Sequence, residues 1–179
     1  LKSLEFLMPP PLIFDPAELS SKPVLADREE IQKINLQRFE MAQLDAIVLL
    51  DPSNHLIGGY KDVRPDEFWV RGHMPGYPLL PGVLICEAAA QLCSYYHMAC
   101  VKLDGVGDFV GFGGMDEVRF RLAVKPNQRL YLVAKAIKVH RRQVTFNVQG
   151  FVDNQLAFHG NIIGIALHRA ASEPKSPGA

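Results

Sequence analysis

The chain of 179 residues has few of the features that mark a disulfide scaffold, a nucleic-acid-binding protein or a membrane protein. It contains three cysteines and one tryptophan, and its 19 basic and 19 acidic residues give a formal net charge of zero. This balance, without a recognised binding motif, gives no reason to expect nucleic acid as a partner. The apolar stretch 83–101 is interrupted by Glu87, Gln91, Ser94 and His97, which argues against a membrane span. One domain with a sizeable core is therefore expected.

The three cysteines, Cys86, Cys93 and Cys100, recur at intervals of seven residues in one predicted helix. Successive members are about 10 Å apart along the helix axis, which is too far for a disulfide or a shared metal centre. We expect them to be small packing residues in a reducing compartment, and hence a cytoplasmic protein.

The stretch after Pro81 predicts a long buried helix. Residues 83–101 carry one formally charged side chain, Glu87, and a helix that is apolar all round is a buried helix. A carboxylate in such a place is costly to ionise. The acid is either a structural group satisfied by a nearby donor or a functional group, and the helix alone does not decide between the two.

The segment 72–82 leads into this helix and is stiffened by three prolines. Helical side chains lean towards the N-terminus, so the carboxyl group of Glu87 is expected near the free N–H groups of Gly82 and Val83. His73 reaches the same end of the helix through the stiff segment. An imidazole, an acid and an oriented N–H group together suit proton abstraction next to a carbonyl.

The remainder of the chain predicts a short helix, a set of strands and two irregular ends. Asp27 is expected to cap a helix over 27–39, and Gly58-Gly59 to form a bulge or a bend. Alternation and turn residues predict strands over 44–50, 55–63, 118–124, 130–139, 144–152 and 156–167. Residues 1–30, with five prolines, are expected to be an arm laid across the domain or a neighbouring subunit, and 169–179 a flexible tail. Long antiparallel strands around one helix make an α+β domain.

Three segments resemble a known family, the FabZ-type (3R)-hydroxyacyl-[acyl carrier protein] dehydratases. The most specific reads His73-Met74-Pro75-Gly76-x-Pro78-x-x-Pro81-Gly82-Val83-Leu84-Ile85-x-Glu87-Ala88-x-Ala90-Gln91. The second, Phe112-Gly113-Gly114-Met115-Asp116-x-x-Arg119-Phe120, is similar to the family's Phe-Ala-Gly-Ile-Asp-x-x-Arg-Phe. In the third, the family's Pro-His-Arg-Tyr-Pro-Phe is matched at Arg38 and by an aromatic at 39, but not at Leu36, Gln37, Glu40 and Met41. Glu at 87 is the acid of the FabZ branch, whereas the related FabA dehydratase-isomerases carry Asp.

The resemblance implies a hotdog fold over residues 31–168, in which an antiparallel sheet wraps a central helix. It implies loss of water from (3R)-3-hydroxyacyl thioesters, with His73 as base, Glu87 as acid and the Gly82 N–H as oxyanion donor. Gln91 is expected to position the acid or to satisfy a backbone group, and the expected substrate contacts are Pro78, Val83, Phe112 and Gln91. No metal and no organic cofactor are expected.

The resemblance also implies partners. The substrate would arrive on the phosphopantetheine arm of acyl carrier protein, and two protomers would share their active sites in a homodimer, with a trimer of dimers as a further possibility. The eight basic residues of segment 119–142, which contains no acidic residue, are either a solvated face or a rim that steers the acidic carrier. A hotdog thioesterase, a non-catalytic carrier-binding subunit and a dehydratase of a specialised polyketide or lipid pathway are the alternatives. The presence of both His73 and Glu87 disfavours the first two.

Overall fold

The computed structural model describes residues 9–169, and within them seven antiparallel strands form one sheet against a long helix. The predicted tail over 169–179 lies outside the described residues except for Arg169, and so do residues 1–8 of the predicted arm. The strand order is β1-β2-β3-β5-β6-β7-β4, so β1 and β4 are the edge strands. The strands are β1 (Ala26–Asp27), β2 (Ala46–Asp51), β3 (Leu56–Asp62), β4 (Phe109–Phe120), β5 (Arg129–His140), β6 (Gln143–Val152) and β7 (Gln155–Leu167).

The central helix, α3 (Gly82–Tyr96), continues into one π-helical turn, His97–Val101. The helix predicted over 83–101 is therefore confirmed. Ala88, Ala89 and Leu92 are completely buried against the inner face of the sheet. Small residues allow this close packing, because a Cβ atom at Gly59 would lie 3.2 Å from the Leu92 side chain and 2.4 Å from a backbone oxygen of β2.

The described part of the predicted arm lies across the outer face of the protein's own sheet. It contains α1 (Pro16–Ser21), whose Leu19 packs against Val48, Val133 and Phe151. Neighbouring strand residues such as Leu132 belong instead to the core around α3, as the alternation of side chains along a strand requires. The buried Gln149 accepts a hydrogen bond from the Ile13 amide at 3.0 Å and donates one to the Pro11 carbonyl at 2.7 Å. Backbone hydrogen bonds and apolar burial thus tie the arm to the domain.

Three local predictions need correction. The strand predicted over 118–124 is wrong after Phe120, where β4 ends. The Arg121 and Leu122 amides both donate to the Ala157 carbonyl of β7, and the Val124 carbonyl accepts from the Leu80 amide at 2.7 Å. The helix predicted over 27–39 is the shorter α2 (Arg28–Gln32), although Asp27 caps it by accepting from the Glu30 amide as expected. The predicted bulge lies on β2, at the register shift between Ile47 and Leu49, opposite Gly58-Gly59 rather than on them.

Candidate active site

His73 is held in one orientation by the segment that precedes α3. Its Nδ1 lies 2.8 Å from the Leu79 carbonyl oxygen, and the Leu79 amide donates back to the His73 carbonyl at 2.9 Å. A carbonyl oxygen only accepts, so Nδ1 carries a hydrogen, and in the neutral ring Nε2 is the nitrogen with the free lone pair. The peptide between His73 and Met74 is cis. The ring is exposed and therefore accessible to a substrate.

The start of α3 lies in the same cavity as His73. Pro81 is the N-cap residue and supplies no side-chain hydrogen bond, so the first helical amides, at Gly82 and Val83, are not capped by it. Both residues line a cavity of about 540 Å³ together with His73 and the strip 120–124. The Phe120 ring lies directly against Gly82, since a Cβ atom there would be 2.7 Å from the ring. A base and uncapped helical N–H groups therefore share one cavity.

Glu87 is held by Gln91, one helical turn further on. The Gln91 carboxamide donates to Glu87 Oε1 at 2.7 Å and to the Met41 carbonyl at 2.6 Å. Its oxygen accepts from the backbone amides of Gln43, at 2.9 Å, and Leu44, at 3.3 Å. These two amides fix which end of the carboxamide is the oxygen. Glu87 Oε1 must consequently act as an acceptor, and a proton on this acid belongs on Oε2.

Glu87 lines a small cavity of about 40 Å³ between α3, β4 and β7. A second cavity of about 310 Å³ adjoins it and extends towards Leu36 and Met98. Five residues line both cavities: Gln37, Ser94, Val110, Gly111 and Phe112. The two cavities therefore share one wall, and Glu87 lines the smaller of them.

The structure divides the predicted site residues between two cavities of one protomer. His73, Gly82 and Val83 line the first, and Glu87 and Phe112 line the second, with Gln91 bonded to Glu87. The Glu87 carboxyl is hydrogen-bonded to Gln91, one turn towards the C-terminal end of α3, and Glu87 is not among the residues that line the cavity at the start of the helix.

Pro78 is half-buried in the segment between His73 and α3, outside the residues that line either cavity. The sequence analysis did not name Gln37 and Ser94 as site residues. The position of Ser94, two turns after Glu87 on one helix face, was a signal for it. For Gln37, the signal was that this position departs from the family's Pro-His-Arg-Tyr-Pro-Phe pattern.

The basic residues of segment 119–142 do not form one uniform rim. Arg121 lines the His73 cavity, and Lys125 lies over the Tyr77 ring at 4.7 Å. Arg129 instead pairs with Asp62 on β3 at 2.6 Å and stacks on Tyr60. The exposed members at the β5–β6 turn are Lys138, Arg141 and Arg142.

The described residues were also searched for a metal site and for a membrane-spanning helix. In the range 9–169, no cluster of three or more His, Cys, Asp or Glu residues could hold a metal ion. No helix in this part of the chain is long and apolar enough to cross a membrane.

Comparison with known proteins places these features in context. Residues 35–161 match the family model of the FabA-like domain. A 3-hydroxyacyl-[acyl-carrier-protein] dehydratase FabZ from Sorangium cellulosum is 32% identical over 154 residues, 85% of this chain and 97% of the relative. A FabZ of the same name from Streptococcus equi subsp. zooepidemicus is 33% identical over 138 residues, 77% of this chain and 96% of the relative.

Among solved structures, a mutant of the thioesterase PA1618 from Pseudomonas aeruginosa is similar, with a TM-score of 0.60. The match covers 82% of this chain and 97% of that chain, at 16% identity. At this identity the likeness speaks for the fold alone. It confirms the predicted antiparallel sheet wrapped around a long central helix, the hotdog fold.

Proposed function

Because the chain belongs to the FabA-like hotdog dehydratase family, we propose that it removes water from (3R)-3-hydroxyacyl thioesters. The products are trans-2-enoyl thioesters, and the reaction is reversible. The acyl group is carried by acyl carrier protein, and the pathway is fatty acid or related lipid biosynthesis. The residues at the two cavities support the dehydration chemistry, and the acyl carrier protein is inferred from the relatives.

The hydrogen bond from His73 Nδ1 to the Leu79 carbonyl is the observation that carries the proposal. It leaves Nε2 as the base, and His73 lines the cavity that holds the start of α3. In the forward direction Nε2 takes a proton from C2 of the substrate, and the electron pair moves towards the thioester carbonyl. A positioned base of this kind contributes about 10²–10⁴ in rate.

Two further groups complete the reaction. The Gly82 N–H donates to the thioester oxygen while negative charge develops there, and water-excluded N–H groups stabilise such charge strongly. Glu87 gives the proton on Oε2 to the 3-hydroxyl group as the C3–O bond breaks and water departs. His73 has then gained one proton and Glu87 has lost one, so proton exchange with the solvent restores both.

The two halves of the site are proposed to come from different protomers. His73 and Gly82 line one cavity of a protomer and Glu87 lines another, so an active site needs His73 of one protomer and Glu87 of its partner. Edge strand β4 carries the exposed apolar side chains Phe112 and Met115 and is suited to pairing with a second copy. The homodimer is thus the proposed catalytic unit.

Acyl carrier protein is the proposed substrate carrier. Arg121 and Lys125 lie beside the His73 cavity, where basic side chains would attract an acidic carrier to the mouth of the site. Pro78, Val83 and Phe112 remain predicted substrate contacts.

A turnover assay tests the proposal. The purified protein is expected to hydrate trans-2-enoyl thioesters, followed by loss of the enoyl absorbance, across a series of graded acyl chain lengths. His73→Ala and Glu87→Gln should each lower kcat by about 10²–10⁴ with an unchanged far-ultraviolet spectrum. Release of free thiol instead of a change in the enoyl group would indicate a thioesterase, and full activity in either variant would refute the assigned roles.

A further inference from the structure

Gln37 lies at the acid end of the proposed site without an assigned role. Its side chain lines the small cavity together with Glu87 and also lines the adjoining larger cavity. Its Oε1 atom is buried and has no hydrogen-bond partner within residues 9–169. Its backbone oxygen, in contrast, accepts from Arg38 Nη1 at 2.9 Å, which ties the main chain at this position. Gln37 thus brings a buried acceptor without a partner to the cavity that Glu87 also lines.

A buried hydrogen-bond acceptor without a donor is unfavourable, so Gln37 Oε1 is satisfied only when a ligand supplies an O–H or N–H group. The substrate of the proposed reaction offers few such groups near Glu87. A thioester oxygen and sulfur only accept, the acyl chain presents C–H groups, and the enoyl product has no O–H group at all. The 3-hydroxyl group is the donor at the reacting end of the substrate.

We propose that Gln37 binds the 3-hydroxyl group of the substrate jointly with Glu87. The hydroxyl oxygen accepts from Glu87 Oε2–H, and the hydroxyl hydrogen is donated to Gln37 Oε1. When the C3–O bond breaks, Gln37 keeps its hydrogen bond to the departing water and takes part in no proton transfer. In the reverse direction the same contact orients the attacking water. Gln37 would then help to select the configuration at C3, because the hydroxyl must reach both side chains.

This inference depends on the proposed function. Comparing two ligands tests the role of Gln37 separately from the dehydratase activity. The experiment uses the full-length dimer with His73→Ala, which stops turnover and leaves Glu87 and Gln37 unchanged. The Kd values of (3R)-3-hydroxybutyryl-pantetheine and of butyryl-pantetheine, which lacks only the hydroxyl group, are measured by calorimetry. Adding Gln37→Met, which keeps the side-chain length but removes the carboxamide, should weaken binding of the hydroxy ligand about tenfold and that of butyryl-pantetheine by less than about twofold.

Two more variants keep the test decisive. Gln32→Met changes a half-buried glutamine five residues away that lines neither cavity, and should leave both Kd values unchanged. Gln37→His retains an acceptor, and should preserve the preference for the hydroxy ligand even if Gln37→Met does not fold. Equal weakening of both ligands by Gln37→Met, or loss of the preference in a folded Gln37→His protein, would overturn the role of Gln37. Failure of the unmodified protein to hydrate crotonyl-pantetheine would instead reject the proposed function.

Discussion

At the scale of single residues, the buried polar side chains of this protein are mostly paired with specific partners. Lys61 is almost completely buried and pairs with both carboxylate oxygens of Glu67 at 3.0 and 2.9 Å. Burial alone would raise the pKa of Asp45, but hydrogen bonds from Arg64 and Arg28 outweigh it and hold the pKa below its usual value. Such pairs fix geometry, because removing one partner leaves the other buried and unsatisfied.

Gln91 gives the clearest test of this principle. Replacement by Leu would leave the Gln43 and Leu44 amides and the Met41 carbonyl without their partner. Each lost partner costs about 1–3 kcal/mol, so the free energy of unfolding should fall by at least about 2 kcal/mol in urea denaturation. Because Glu87 also loses its positioning contact, kcat should fall more than KM rises. An exposed control, Gln155→Leu, should change stability by less than about 0.5 kcal/mol.

A Gln91→Leu protein as stable as the control would contradict the hydrogen-bond arrangement around Gln91. A stable protein with unchanged kcat would contradict the positioning role alone.

We expect the free energy of unfolding to depend on pH because of His97. The side chain is fully buried, its Nε2 donates to the Arg141 carbonyl at 3.0 Å, and its Nδ1 has no partner in the described part of the chain. Burial lowers the pKa of His97 below its ordinary value. The unfolded chain then binds the extra proton more readily, so this contribution to stability is fully present above the unfolded pKa near 6.5 and is lost as the pH falls from there through the lowered pKa of the folded state.

Urea midpoints between pH 5 and 8 measure this effect. His97→Leu should flatten the fall in stability below pH 7, whereas exposed His140→Leu should leave the slope unchanged. Burial and the neighbouring Arg121 and Arg119 also lower the pKa of His159, so part of the slope should remain. An identical slope in His97→Leu and the unmodified protein would exclude His97 as its source.

At the scale of the elements, the sheet is covered on both faces by segments of its own chain. The helix α3 covers the inner face, and the arm with α1 covers part of the outer face. The residues matched by the family model begin at 35, so the arm precedes the family domain. Gly58 makes room for it, because a Cβ atom there would lie 2.6 Å from Leu19 Cδ1. The arm is thus an integral part of the packed structure.

Leu19 anchors the arm, so replacing it measures how much the packing of the arm contributes to the free energy of unfolding. Leu19→Ala removes a side chain that is completely buried against Val48, Val133 and Phe151. The free energy of unfolding should fall by about 2–5 kcal/mol, the usual cost of such a cavity. Leu25→Ala, in the same arm but exposed, should change it by less than about 0.5 kcal/mol. Equal effects of the two changes in urea denaturation would show that the arm does not pack as described.

At the scale of the whole molecule, the proposed activity requires the proposed homodimer. His73 and Glu87, the two proposed reactive residues, line different cavities of one protomer, and the edge position of β4 leaves one side of that strand unpaired within the described sheet. The small Glu87 cavity would then be completed by the partner's His73 segment. The three cysteines are free thiols, and burial raises the pKa of Cys86 to about 11, so its thiol stays protonated at neutral pH.

Complementation between two inactive variants tests the shared site. His73→Ala and Glu87→Gln protomers carrying different tags are co-expressed, and the mixed dimer is purified through both tags. Each mixed dimer would contain one intact site and one site lacking both groups, so its activity should be about half that of the unmodified dimer. The two parent homodimers serve as controls. A mixed dimer as inactive as its parents would show that each site lies within one protomer.

The local features of this protein could be predicted from the sequence because they depend on neighbours in the chain. The cap at Asp27, the start of α3 after Pro81 and most strand positions follow from residue type and periodicity. The strand predicted through residue 124 was wrong because alternation continues past Phe120, while the regular ladder with β7 ends there: the Arg121 and Leu122 amides both donate to the one Ala157 carbonyl. The alternation of apolar and polar residues in a sequence does not reveal where the pairing with a neighbouring strand ends.

The family, the helix that bears Glu87 and the candidate pair of His73 with Glu87 all followed from residue types and their spacing. The packing of the folded chain instead set which cavity each residue lines, the hydrogen bonds of Gln91, the unpartnered acceptor of Gln37 and the docking of Leu19 on the outer face. These features join residues that are far apart in the chain, such as Met41 and Gln91 or Leu19 and Phe151. Their contacts are set by how the sheet and the helix pack, which no local spacing of residues specifies.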